Sequence, residues 1–141
     1  MNYTFDAEPV IAAALDEQGS DTVEKYLSDI ADEDTAVSGY ISSVTAVELR
    51  YIIMSEATES DADRMINRLD HIGVDFIPTD RDVMVEASRI KKRYQIALGD
   101  AFALATATST DSTLVVGADD DFDGLEETED IPIKRFRTGS V

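Results

Sequence analysis

Leu98-Gly99-Asp100-Ala101-Phe102-Ala103-Leu104-Ala105-Thr106-Ala107 and, a short turn later, Leu114-Val115-Val116-Gly117-Ala118-Asp119 decide the fold. The first stretch predicts an alanine-rich helix over residues 100–109, and the second a strand over residues 113–117. One acid opens the helix and another follows the strand. Outward from there the same succession recurs. Residues 2–6 predict a strand that ends at Asp6, and residues 8–17 a helix with Pro9 tolerated in its first turn. Ser20 or Asp21 caps a helix to about Ile30, where Val23, Tyr26, Leu27 and Ile30 share a face. Val37 to Val44 predicts a strand, and Thr45 caps a helix to about Ser55. Ser60 caps another helix, broken at Gly73 and followed by a strand over Val74-Asp75-Phe76-Ile77. Thr79 caps a helix to about Tyr94. Ile131-Pro132-Ile133 predicts a last strand, placed at an edge because Pro132 cannot donate to a ladder. Strands alternating with helices predict an α/β domain of three layers, a mainly parallel central sheet flanked by helices. The length suits a single domain over residues 1–141.

Composition narrows the chemistry. Cys is absent and His71 is the sole histidine, which excludes disulfides, thiolate sites and clusters of imidazoles. His71 itself predicts a surface residue at a helix end. Any metal must be held by oxygen, which favours Mg²⁺ or Mn²⁺ over zinc. No apolar run approaches the roughly 20 residues of a membrane span, and the start lacks a basic region followed by an apolar core. The expectation is a cytoplasmic protein with no membrane partner. The net charge of −18, with only four Lys among twelve basic residues, is extreme. Scattered acid of this density predicts a chain adapted to molar salt, where a Debye length of about 3 Å screens the self-repulsion. The other reading is an ordinary acidic protein.

Four of the thirty acids stand at the ends of apolar segments: Asp6, Glu48, Asp100 and Asp119. In an open α/β sheet, the carboxyl ends of the strands meet in a ligand-binding crevice. Converging carboxylates repel one another unless a cation lies between them, so the set predicts a hard-metal site. Each acid also has a local explanation. Asp6 and Asp100 suit helix N-caps, Thr45-Ala46-Val47-Glu48 fits a capping box, and Asp119 heads an acidic turn, Asp119-Asp120-Asp121-Phe122-Asp123-Gly124.

Four blocks carry a resemblance over nearly the whole chain. They are Phe5-Asp6-Ala7-Glu8-Pro9-Val10-Ile11, Ser43-Val44-Thr45-Ala46-Val47-Glu48-Leu49, Leu98 to Ala107, and Leu114 to Phe122. The chain resembles PIN-domain ribonucleases and, within them, the VapC-type toxins of toxin–antitoxin pairs. The family's four acids fall on Asp6, Glu48, Asp100 and Asp119, with Asp121 a neighbour in the last turn. The family usually has Thr after the first acid, often followed by Ser or Asn; Ala7 and Glu8 stand there instead, and Glu8 could add a carboxylate near the metal. The resemblance implies hydrolysis of RNA phosphodiesters by water with Mg²⁺ (or Mn²⁺). Asp6 and Asp100 would hold the ion, Glu48 would orient the water or accept its proton, and Asp119 would ligate a second ion or a nearby water. It also implies an RNA substrate, a cognate antitoxin protein and a homodimer.

An RNA substrate calls for cations, because phosphate contacts come mainly from Lys and Arg. Two basic clusters offer them. Arg89-Ile90-Lys91-Lys92-Arg93 also reads as a solvated helix end, and Lys134-Arg135-Phe136-Arg137 as an exposed tail or a partner face. Two other functions compete. A degenerate PIN fold that binds RNA or a partner without cutting sits poorly with intact acids at all four positions. A Mg²⁺-binding phosphoryl-acceptor signalling domain needs paired acids after the first strand and a nearby Lys, and neither is present.

Overall fold

The computed structural model describes residues 1–118, 122–125 and 131–137. The chain runs β1 (Asn2–Phe5), α1 (Ala7–Leu15), α2 (Ser20–Ala31), β2 (Ser38–Ser42), α3 (Ser43–Glu56), α4 (Glu59–Ile72), β3 (Asp75–Ile77), α5 (Arg81–Tyr94), α6 (Leu98–Thr110), β4 (Thr113–Val116) and β5 (Ile133–Arg135). All pairings are parallel and the strand order is β3-β2-β1-β4-β5. Parallel strands need crossovers, and helices supply those that link β1, β2, β3 and β4. The sheet therefore has helices on both faces, the expected three-layer α/β fold, and β5 is an edge strand as expected, although it starts at Ile133, after Pro132, where residues 131–133 were expected.

Alternation along the strands divides the core in two. Tyr3, Phe5, Ile41 and Val115 pack with apolar residues of α1 to α4, including Val10, Leu27, Leu49 and Leu69. Leu114 and Val116 pack on the opposite side with Val83 and Ile90 of α5 and Leu104 of α6. Strands buried on both faces explain why Leu114-Val115-Val116 is apolar without a break. Helix α6 is buried nearly all round, and Ala101, Ala103, Ala105 and Ala107 keep its packing surfaces thin.

Several helix starts differ from those expected, and each difference follows from which side chain captures the first free amides. Ser42, not Thr45, caps α3, its hydroxyl accepting from the Val44 amide at 3.1 Å, so β2 ends earlier than expected. Thr58 caps α4 in place of Ser60, and Asp80 caps α5 in place of Thr79, each accepting from the amide three residues on. Gly19 occupies the cap of α2. Arg135 and Arg137 form no exposed tail: Arg137 is 7% exposed in its side chain, and both arginines are held by ion pairs.

Strand order decides where a site can form. From β1 the chain builds outward through β2 to β3, then crosses back to place β4 and β5 on the other side of β1. The order reverses between β1 and β4, and a crevice opens beyond their carboxyl ends. The Asp6 amide donates to the Val115 carbonyl at 3.0 Å, which carries the β1–β4 pairing one residue past the strand and delivers Asp6 to that crevice.

Candidate acidic cleft

A cleft of about 230 Å³ at this switch point is lined by Asp6, Ala7, Glu8, Ile11, Glu48, Ile52 and Asp100. Three of the four acids singled out in the sequence, Asp6, Glu48 and Asp100, therefore share one surface. Asp119, with Asp121, lies outside the described residues.

The capping explanations fail for all three. Asp6 occupies the cap position of α1 in extended conformation (φ −74°, ψ 172°), yet its side chain accepts from no helix amide. Asp100 lies inside the first turn of α6, whose cap is Ala97, and is 7% exposed. Its preceding residues are loop and helix, so it does not follow a strand; the helix N-terminus beside it favours a negative charge. Glu48 lies in the body of α3, beyond the reach of a capping box. Thr45 is likewise internal to α3, fully buried, and its Oγ1 has no hydrogen-bond partner among the described residues.

Two carboxylates are held in an unusual way. Glu48 Oε1 is buried without a hydrogen-bond partner among the described residues. Burial pushes its carboxyl above the usual carboxylate range. The side chain lies against Gly99, where a Cβ would come within 2.1 Å of Oε1. Glu8 repeats the arrangement at Gly117, where a Cβ would come within 1.1 Å of its buried, unpartnered Oε2. Both glycines have ordinary backbone conformations. They matter because a carboxylate occupies the space a side chain would take.

Beside the cleft, Arg137 donates to Glu8 Oε1 at 3.1 Å and to the Gln18 carbonyl at 2.9 Å, and pairs with Glu17 at 3.5 Å. Arg135 donates to the Gly117 carbonyl at 2.8 Å and to Asp123 at 2.9 Å. Sequence reasoning missed this structural use of the basic tail; its only signal was the position of both arginines beside an edge strand. The Arg89–Arg93 cluster ends α5, where Lys91 Nζ donates to the Ile96 carbonyl at 2.8 Å. His71 is exposed in the last turn of α4, as expected.

Among the described residues, no group of three or more His or acidic side chains is close enough to hold a metal ion. The donor chemistry nevertheless suits one hard cation. Every donor is a carboxylate oxygen, two of those oxygens are buried without a partner, and Mg²⁺ retains several waters and takes only one or two direct carboxylates. No helix among the described residues is long and apolar enough to cross a membrane.

A family model for the PIN domain matches residues 3–127. No curated protein matches the sequence. The structure is similar to VapBC2 from Rickettsia felis, solved bound to a DNA fragment from its promoter, with a TM-score of 0.73 at 15% identity over 96% of this chain and 98% of that one. It is similar to FitAcB from Neisseria gonorrhoeae, with a TM-score of 0.64 at 20% identity over 95% and 97%. It is also similar to the sarcin-ricin loop cleaving toxin VapC20 from Mycobacterium tuberculosis, with a TM-score of 0.65 at 10% identity over 79% and 85%. At these identities the structural likeness establishes the fold. With the family model spanning the acidic cleft and nearly the whole described sheet, the chain belongs to the PIN domain family.

Proposed function

We propose that this protein is a metal-dependent endoribonuclease acting as the toxin of a toxin–antitoxin pair. The observation that carries the reading is the cleft at the β1–β4 switch point, lined by Asp6, Glu8, Glu48 and Asp100 and containing buried carboxylate oxygens with no partner. Asp6 and Asp100 would hold a Mg²⁺ or Mn²⁺ ion, and Asp119, which follows β4 in the sequence, would assist. The bound ion would supply Lewis acidity toward a phosphate oxygen and lower the pKa of a water. Glu48, its carboxyl raised by burial, would orient the attacking water or accept its proton. The acids exclude a second anion from the site unless positive charge accompanies it, which makes RNA binding and cation binding interdependent.

The comparison with VapBC and FitAB structures supports a cognate antitoxin as partner. Val47, Tyr51 and Met54 form an exposed apolar stripe on α3, Val47 and Tyr51 each 69% exposed, which supports pairing of two copies. A solution mass of one chain by light scattering would overturn the dimer.

Cleavage of RNA by the purified chain with Mg²⁺ or Mn²⁺ tests the central claim. Asp6→Asn and Asp100→Asn should each lose more than the roughly 100-fold typical of residues that only support a metal ligand. Undiminished cleavage in EDTA, or in both variants, would overturn the mechanism. Tight RNA binding with no cleavage would favour a binding protein on the same fold.

A further inference from the structure

A cavity of about 280 Å³ lies between α2 and the edge strand β5. Thr22, Lys25, Tyr26 and Asp29 line it from α2, and Lys134 and Arg135 from β5. The α2 residues recur at three- and four-residue spacing, so one helix face supplies that wall. Tyr26 is 8% exposed and its ring packs on Tyr3, with centroids 4.7 Å apart, which holds the wall in place. Lys134 is exposed, with its Nζ 5.6 Å from the Tyr26 ring centre. A side-chain hydrogen bond with Tyr26 pushes the Lys134 pKa up and keeps the amine charged.

Lysine is scarce in this chain, four residues against thirty acids, yet two of the four face this one cavity from distant parts of the sequence. Lys134 forms no ion pair among the described residues, and Lys25 only a loose one with Asp29, at 4.0 Å with the lysine 79% exposed. Arg135 is already held by the Gly117 carbonyl and Asp123. Gly117 therefore touches both sites: Arg135 of the cavity through its carbonyl, and Glu8 of the acidic cleft where a Cβ would stand. Two available ammonium groups beside hydroxyls are the donors that a phosphodiester takes. The net charge of −18 opposes a polyanion at a distance, and at molar salt a Debye length of about 3 Å leaves only charges in direct contact to act. A walled cavity with two ammonium groups provides such contact.

We propose that Lys25 and Lys134 form a phosphate-binding subsite for RNA, holding a backbone phosphate of the strand whose cleavage takes place in the acidic cleft. The subsite rests on the ribonuclease reading above. Its ligand is a phosphodiester of single-stranded RNA, bound without regard to base, because phosphate contacts carry no sequence information.

Steady-state cleavage of a single-stranded RNA with Mg²⁺, and fluorescence anisotropy of the same RNA in EDTA, test the subsite on the full chain, with circular dichroism confirming that each variant is folded. Lys25→Met and Lys134→Met should each raise KM by about tenfold or more, as for loss of one hydrogen bond to a charged group, with kcat unchanged. Each should also flatten the slope of log affinity against log salt by about 0.7. Lys134→Arg should keep the wild-type KM and slope. Arg64→Met, which removes the same charge from the outer surface of α4, should leave KM unchanged; an equal rise there would assign the effect to net charge and overturn the subsite. Wild-type KM and affinity in the folded double variant overturns the subsite and leaves the ribonuclease reading intact. Binding of an oligo-glutamate peptide that is lost in the double variant while RNA affinity is kept overturns it in favour of an acidic protein segment. No cleavage by the wild type, with RNA affinity lost in the double variant, overturns the ribonuclease reading and keeps the phosphate contact. Neither cleavage nor RNA binding by the wild type overturns both.

Discussion

The acidic cleft and the outer surface of α3 and α4 use the same residue types in opposite ways. On that surface acids meet bases: Arg50 pairs with Asp63 and Glu59, Arg64 with Asp61, and Arg68 with Glu24 of α2. These pairs are solvated, and such pairs contribute little, about 0–1 kcal/mol each. In the cleft, Glu8 and Glu48 each bury an oxygen that no donor reaches. One surface compensates its charge locally, whereas the other holds charge at a cost to the fold. In a chain of thirty acids, burial sets Asp6 and Asp100 apart from the solubilising ones, and a buried oxygen with no hydrogen-bond partner among the described residues sets Glu8 and Glu48 apart.

The sharpest way to break this comparison is Glu48→Gln. In the proposed role of orienting the water or accepting its proton, Glu48 would contribute roughly 10²–10⁴-fold to cleavage, so the variant should lose activity on that scale. Its stability should move the other way. Burial raises the folded-state pKa of Glu48 above its unfolded value. The folded state therefore binds that proton more tightly, and the contribution is full below about pH 4 and is lost as pH rises through the folded value. Near neutral pH in metal-free buffer the neutral Gln avoids that loss. Glu48→Gln should then melt above wild type, with about 4 °C for each kcal/mol recovered, and the gain should vanish near pH 4. Equal melting temperatures at both pH values would show that Glu48 is not held at a cost.

Gly99→Ala tests the same carboxylate through its neighbour. Its Cβ would displace Glu48 Oε1, and cleavage should fall by roughly 10–100-fold while circular dichroism stays that of the wild type. Retained activity would mean that the position of Glu48 is not critical.

Salt probes the solvated acids as a group. A net charge of −18 predicts a lower melting temperature at about 0.05 M salt than at 1 M, as screening falls away. Full stability at low salt would overturn the reading of adaptation to brine. The smallest effect belongs to the paired surface: Arg68→Met should cost no more than about 1 kcal/mol by denaturant unfolding and leave cleavage unchanged.

Much of the fold was legible in the chain. The alternation of strand and helix, the strand over residues 113–117 and the edge position marked by Pro132 all follow from local periodicity and backbone chemistry. The convergence of Asp6, Glu48 and Asp100 was legible too, although strand ends account for only one of the three. Only Asp6 follows a strand; Glu48 and Asp100 reach the cleft from inside helices. Helix starts were less legible, because Ser42, Thr45, Ser60 and Thr79 are all competent caps by type and only the path of the chain selects among them.

By itself the sequence determined an oxygen-only donor set, a parallel α/β order and the acids that could meet at its switch point. These depend on residue type and on spacing along a few turns. Only the tertiary structure decided that Glu8 and Glu48 would rest on glycines with unsatisfied oxygens, and that Arg137, 129 residues from Glu8, would hold one of them. Whether a charge has a partner depends on distances of a few ångströms between residues far apart in the chain, and no local pattern records those distances.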